Sequence, residues 1–109
     1  MKTMDEIRKR IFKPIPELDA EIRTITEIKD GQGNKEFLVD IGLYESLGEQ
    51  GEITTFSYVE QPTEEEIIKD IKKELKVLFI DLKDRCLYLT EREEKYLRIL
   101  TKLIEKVEE

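Results

Sequence analysis

The sequence contains no histidine and no tryptophan, and it has a single cysteine, Cys86, among 109 residues. Without histidine, the chain alone cannot supply the Ser-His-Asp or Cys-His arrangements of nucleophilic catalysis or a metal site built on imidazole. One cysteine excludes an internal disulfide and a zinc site made of cysteine pairs. We therefore predict a protein that is not an enzyme and holds no cofactor, with Cys86 as a small core residue.

Long apolar runs are also missing. No stretch approaches the roughly 18 apolar residues that a membrane-spanning helix needs. The first residues, Met1 to Glu6, are charged and lack the apolar core of a secretory signal. We therefore expect a cytoplasmic protein, of a bacterial or archaeal cell or of an infected host, without a membrane partner.

Charge is the abundant feature of this sequence. Charged residues make up 41% of the chain and hydrophobic residues 39%, and the net charge is −7. Because apolar residues recur at regular intervals, we expect a folded chain, and its length fits a single domain, 1–109. The acidic excess lies in residues 17–62, which hold three basic and eleven acidic residues.

The first segment, residues 1–14, is predicted to form a short helix. Thr3 is a suitable N-cap, and acidic residues precede basic ones in the order that the helix dipole favours. A narrow apolar stripe recurs at helical spacing: Met4, Ile7 and Ile11. Pro14 and Pro16 would end the helix. The basic cluster is interpreted as a solvated helix face: Arg8, Lys9, Arg10 and Lys13.

Residues 18–60 are predicted to form a three-stranded antiparallel meander. Strands are expected at 18–29, 36–44 and 52–60, and a Gly-rich turn at 30–34 joins the first two. The connections are too short for parallel crossovers. One parity of the first strand is expected to form a single face: Leu18, Ala20, Ile22, Thr24, Thr26 and Ile28.

Residues 63–108 are predicted to form a helical hairpin packed on one face of the sheet, with one helix over about 63–88 and the other over about 91–108. Thr63 and Thr90 are each followed three residues later by Glu, which is the pattern of a capping box. An apolar stripe at helical spacing follows each threonine. For residues 77–89, the rival interpretation is two strands joined at Lys83-Asp84. The predicted fold class is therefore α+β.

The long helix carries apolar residues on a second side. They lie off its main stripe: Val77, Ile80, Leu87 and Tyr88. A helix that is apolar on two sides is usually covered on two sides. One cover is the sheet, and the candidates for the other are the N-terminal helix, the last helix and a second copy of the chain. The last of these candidates predicts a homodimer.

The sheet segment provides a candidate partner-binding surface. Tyr44, Phe56 and Tyr58 are expected to share the sheet face opposite the one that carries Phe37 and Val39. Aromatic side chains suit protein contacts, and neighbouring carboxylates favour a basic partner. Four acids complete the predicted partner-binding set: Asp40, Glu45, Glu52 and Glu60.

These observations favour a non-catalytic protein–protein interaction module, that is, an adaptor, regulator or assembly component, with a basic protein as its partner. One alternative is an inhibitor from a phage or mobile element whose acidic surface mimics nucleic acid. In element order and charge, the chain is similar to some small anti-CRISPR proteins. Another alternative is a small protein that binds metal through carboxylates. Direct binding of nucleic acid is not expected, because the sheet segment is negatively charged.

Overall fold

The computed structural model describes residues 4–85 and 87–107. The chain divides into two units, Met1–Thr63 and Glu64–Glu109, and this boundary falls between the predicted sheet and the predicted helical hairpin. Thr3 and Cys86 lie outside the described residues, as do the side chains of residues 4–7 and 107. Organisation as a single domain stays a prediction.

The first unit contains an antiparallel sheet with the strand order β1-β2-β3-β4. Its strands are β1 (Met4–Ile15), β2 (Ala20–Asp30), β3 (Lys35–Leu43) and β4 (Glu52–Tyr58). Two short 3-10 helices lie in the connections, at Pro16–Leu18 and Glu45–Gln50. Together with the two long helices of the second unit, this sheet confirms the α+β class.

The N-terminal segment is a strand, so the predicted helix over residues 1–14 is wrong and the sheet has four strands instead of three. β1 pairs with β2 along most of its length, beginning with Met4 opposite Asp30. This ladder provides hydrogen-bond partners for the backbone of β1. A short isolated helix, in contrast, is only marginally stable in water. Pro14 is tolerated because β1 is an edge strand.

Side chains alternate between the two faces of a strand, and directly paired residues of neighbouring strands share a face. One face is buried along β2 and β3: Ala20, Ile22, Phe37, Val39, Ile41 and Leu43. An irregularity at Arg23 shifts the register, so that Ile22 pairs with Ile41 but Thr24 pairs with Asp40. The predicted single parity therefore fails at Arg23, and Thr24 lies on the other face.

The turn between β2 and β3 is confirmed. Asp30 Oδ1 accepts hydrogen bonds from the backbone N–H groups of Gln32 and Asn34 at 2.8 and 2.9 Å. Gly33 has a φ of 87°, a value that glycine adopts readily. A hydrogen bond from the Asn34 side chain, followed by these two backbone bonds, lowers the pKa of Asp30.

The second unit consists of α1 (Glu64–Asp84) and α2 (Glu91–Val107), which contact each other. The rival interpretation of residues 77–89 as two strands is wrong, although α1 ends four residues before the predicted end at 88. Each helix buries an apolar stripe: Ile67, Ile71, Leu75 and Leu82 in α1, and Tyr96, Leu100, Leu103 and Ile104 in α2. The predicted packing of this hairpin on the sheet stays a prediction.

Candidate protein-interaction surface

Asp40, a predicted partner-binding residue, is held between two neighbouring strands on the more polar face of the sheet. Its carboxylate accepts hydrogen bonds from Thr24 Oγ1 and Thr55 Oγ1, each at 2.8 Å. Both threonines are paired with Asp40 in the strand register. These bonds join three strands, so Asp40 has a structural role in the sheet.

The three predicted aromatic residues do not form one exposed surface. Phe56 pairs with Val39 and Tyr58 with Phe37, so both lie on the buried face. The expectation that they lie on the opposite face is therefore wrong. Tyr44 is only 1% exposed and has a φ of 59° at the end of β3, so it belongs to the core.

The remaining predicted acids lie in separate places. Glu45 Oε1 accepts a hydrogen bond from Arg23 Nη2 at 2.8 Å, and this bond raises the pKa of Arg23. Glu52 begins β4 and Glu60 follows the end of that strand, and both are exposed. The structure thus spreads the predicted set over the sheet, and its binding to a partner stays a prediction.

β1 adds positive charge to a sheet that the sequence predicts to be acidic. Arg8 and Arg10 pair with Thr26 and Thr24, which places both arginines on the sheet face of Asp40. Cations on an edge strand also discourage pairing with strands of other chains. The sheet therefore carries mixed charge, and the basic cluster belongs to a strand edge.

The described residues bear on two further features, a metal site and a membrane-spanning helix. Among residues 4–85 and 87–107, no group of three or more histidine, cysteine, aspartate or glutamate residues is arranged to hold a metal ion. Within the same ranges, neither helix combines the length and the apolar character needed to cross a membrane.

The helical unit exposes four large apolar side chains, which we call the apolar patch: Val77, Ile80, Leu87 and Tyr88. Val77 is 60% exposed and Ile80 is 59% exposed. Leu87 and Tyr88, in the connection between the helices, are 85% and 84% exposed. The prediction that these residues lie off the main stripe of the long helix is confirmed for Val77 and Ile80, whereas Leu87 and Tyr88 lie beyond the end of α1.

Hydrogen bonds are present at Tyr88 and at Thr90 in the connection between the helices. Thr90 Oγ1 accepts a bond from the Glu93 N–H at 3.1 Å, and Glu93 Oε1 accepts one from the Thr90 N–H at 3.0 Å. This is the reciprocal pattern of a capping box, and it confirms the sequence prediction for Thr90. The Tyr88 N–H donates to the Arg85 carbonyl at 2.7 Å.

Arg85 joins the end of α1 to the start of α2. Its Nη2 lies 2.9 Å from Asp81 Oδ2 and 2.8 Å from Glu93 Oε2. The Asp81 and Glu93 carboxylates raise the pKa of Arg85. The hydrogen bond from the Thr90 backbone, followed by that from Arg85, lowers the pKa of Glu93. Both ionised forms are therefore favoured.

No family model, curated protein or solved structure matches this chain. The candidate site is therefore inferred from the geometry of this chain alone. Sequence reasoning found the four residues of the apolar patch but missed the structural role of Arg85. The available signal was its position four residues after Asp81 and just before a capping box, where it can reach carboxylates of both helices.

Proposed function

We propose that this protein is a non-catalytic protein–protein interaction module, and that its binding surface is the apolar patch of the helical unit. The observation that supports this most strongly is the exposure of four large apolar side chains within twelve residues of chain. Single exposed apolar residues are ordinary on a protein surface, whereas a cluster of them marks an interaction site.

The connection between the helices presents the two most exposed residues of the patch, Leu87 and Tyr88. Arg85 and the Thr90–Glu93 capping box lie on either side of them. Tyrosine is also enriched among the residues that dominate binding energy at protein interfaces. We therefore assign Tyr88 and Leu87 as the centre of the surface.

The expected partner is a protein, and the net charge of −7 favours one with positive charge. The alternative of an acidic nucleic-acid mimic has less support, because Asp40 and Glu45 are engaged in hydrogen bonds and β1 adds arginines to the sheet face of Asp40. The metal-binding alternative has no supporting cluster in residues 4–85 and 87–107. The proposal retains the cytoplasm as the expected compartment.

The test is affinity purification of the tagged chain from its host, with washes at low and high salt. The double variant Leu87→Ser/Tyr88→Ser is compared with Ile53→Ser/Val59→Ser, which changes two exposed apolar residues of the sheet unit. We expect the wild type and the sheet variant to retain the same protein through high salt. The helical variant should retain at least about tenfold less, because truncation of central contacts costs that much binding.

The opposite pattern would contradict the assignment. A bound protein that is lost with the sheet variant but kept with the helical variant would place binding on the sheet. Release of the protein by salt alone, with both variants binding as the wild type does, would favour the acidic-mimic alternative, because salt screens charge contacts.

A further inference from the structure

The outer face of α1 has a regular pattern of its own. Lys73, Val77, Ile80 and Asp84 follow one another at spacings of four, three and four residues, and all four are exposed. We call this row the outer seam. A 3-4 spacing keeps residues on one side of a helix and is the pattern with which helices pair side by side. The seam faces away from the buried stripe of α1, as expected from 100° per residue.

The charges of α1 are unevenly distributed along its length. Residues 69–76 hold four lysines and two acidic residues, whereas residues 77–84 hold one lysine and two aspartates. The seam follows the same order, with Lys73 at its N-terminal end and Asp84 at its C-terminal end. A helix with this polarity is complementary to a copy of itself that runs in the opposite direction.

The register of such a pair follows from the sequence positions. When two copies of α1 lie antiparallel about a two-fold axis midway between Val77 and Ile80, Val77 of each copy faces Ile80 of the other. Lys73 of each copy then faces Asp84 of the other, since both pairs have the same midpoint. A parallel arrangement would place Lys73 against Lys73 and Asp84 against Asp84, and like charges in contact oppose association.

We propose that the outer seam of α1 binds a second copy of this chain in an antiparallel, two-fold symmetric pair. This inference rests on the proposed function, because it names the occupant of one part of the apolar patch. The two-fold axis makes the contact self-complementary and closed, so that it yields dimers and not chains of molecules. Leu87 and Tyr88 lie beyond the end of α1 and are not part of the outer seam.

The apolar and charged residues have different roles in this pair. Exposed ion pairs add little affinity, so Val77 and Ile80 supply most of the attraction. Lys73 and Asp84 select the direction and register of the helices. A helix of this length is about 30 Å long, and only the middle of the outer seam is apolar. The dimer is therefore expected to be reversible. The near balance of charge in residues 63–109, with eleven basic and thirteen acidic residues, permits close approach.

The test is a charge swap measured by sedimentation velocity over a range of concentrations. We expect the wild type to dimerise as its concentration rises. Lys73→Asp and Asp84→Lys, each alone, should weaken dimerisation at least tenfold, because both place like charges at two symmetric contacts. An equimolar mixture of the two variants should dimerise as the wild type does, because the mixed pair has opposite charges at both contacts.

Matched controls change the same charges on α2, where Lys102 and Glu105 are exposed. Lys102→Asp and Glu105→Lys should dimerise as the wild type does. The double variant Val77→Ser/Ile80→Ser should be monomeric at every concentration. Since all substituted side chains are exposed, each variant is expected to fold, and circular dichroism checks this.

Three results would overturn the proposal: a wild type that stays monomeric, single charge variants that dimerise normally, or a mixture that does not restore dimers. If the wild type is monomeric but Leu87→Ser/Tyr88→Ser loses a different captured protein, the second-copy assignment fails and the interaction module stands. If dimerisation is absent and that variant also captures everything that the wild type captures, both fail.

Discussion

Arg85 shows how one side chain can connect the end of one helix to the start of the next. Its guanidinium contacts carboxylates of both helices, Asp81 in α1 and Glu93 in α2. Glu93 in turn accepts a hydrogen bond from the backbone of Thr90. These contacts are exposed, so each contributes little alone. They lie on either side of Leu87 and Tyr88, two large apolar side chains that are exposed to solvent.

Replacement of Thr90 by Ala is expected to destabilise the protein by about 1 kcal/mol, because the N-cap hydroxyl of α2 is lost. Thr101→Ala is the matched control. Thr101 Oγ1 donates to the Leu97 carbonyl within α2, at 2.7 Å, an arrangement that does not stabilise a helix. Urea denaturation should show the loss for Thr90→Ala, with Thr101→Ala equal to or slightly above the wild type. Equal losses in both variants would contradict a capping role.

Among the helices, strands and turns, the sequence pattern predicted those whose structure depends on nearby side chains. The turn at 30–34, β3, the ends of α2 and the Thr90 cap follow from nearby side chains and were all anticipated. β1 was missed because its capping and charge order favour a helix, whereas pairing along β2 decides the outcome. Such a tertiary contact overrides weak local propensity, and no residue within the segment indicates the pairing with β2.

The candidate surface divides in the same way. Periodicity along α1 was enough to find Val77 and Ile80, because exposure on a helix follows from the position of its buried stripe. The same periodicity placed Leu87 and Tyr88 on this helix, which ends before them. The sheet residues could not be assembled into a surface from sequence. The irregularity at Arg23 and the pairing of Phe56 with Val39 determine which face each side chain occupies, and a shift of one residue reverses that assignment.

The connection between β3 and β4 gives a test at this scale. A methyl group on Gly51 would lie 2.5 Å from the Leu43 carbonyl oxygen and 3.0 Å from that of Tyr44. Gly51→Ala must therefore move backbone, which we expect to cost roughly 1–3 kcal/mol. At Gly42, the atoms in the way are the ends of the Arg23 and Glu45 side chains.

Gly42→Ala is accordingly the comparison variant. It should displace the ion pair of Arg23 and Glu45, which is partly exposed, at a cost of about 1 kcal/mol or less. Thermal unfolding of the two variants should place Gly51→Ala clearly below Gly42→Ala. The reverse order would show that the connection can relax around Gly51.

At the scale of the whole molecule, the composition sets the response to pH. The chain has 26 acidic residues and no histidine, so no side chain has an ordinary pKa between about 5 and 8. Glu93 and Asp30 have lowered pKa values because hydrogen bonds favour their ionised forms. A carboxylate with a lowered pKa stabilises the fold above its unfolded pKa, and that contribution is lost as the pH falls through the folded value.

We therefore expect the thermal midpoint to be constant from about pH 5.5 to 7.5 and to fall below about pH 4, near the ordinary pKa of a carboxyl group. Glu93→Gln should be less stable than the wild type at neutral pH, and the difference should shrink as the pH approaches 3. Calorimetry over this range is the measurement. A difference that stays the same at pH 3 would assign the effect of Glu93 to its shape instead of its charge.

The order of strands in the sheet has a consequence for the way the chain is made. Each strand after β1 pairs with the strand that precedes it in sequence. The partner of each strand has therefore already been synthesised when that strand emerges from the ribosome. Contacts that are short in sequence form quickly, and N-terminal units generally fold first during synthesis. The sheet is therefore expected to be assembled before α1 is complete, so the outer seam would be displayed by a nascent chain whose N-terminal half is already folded.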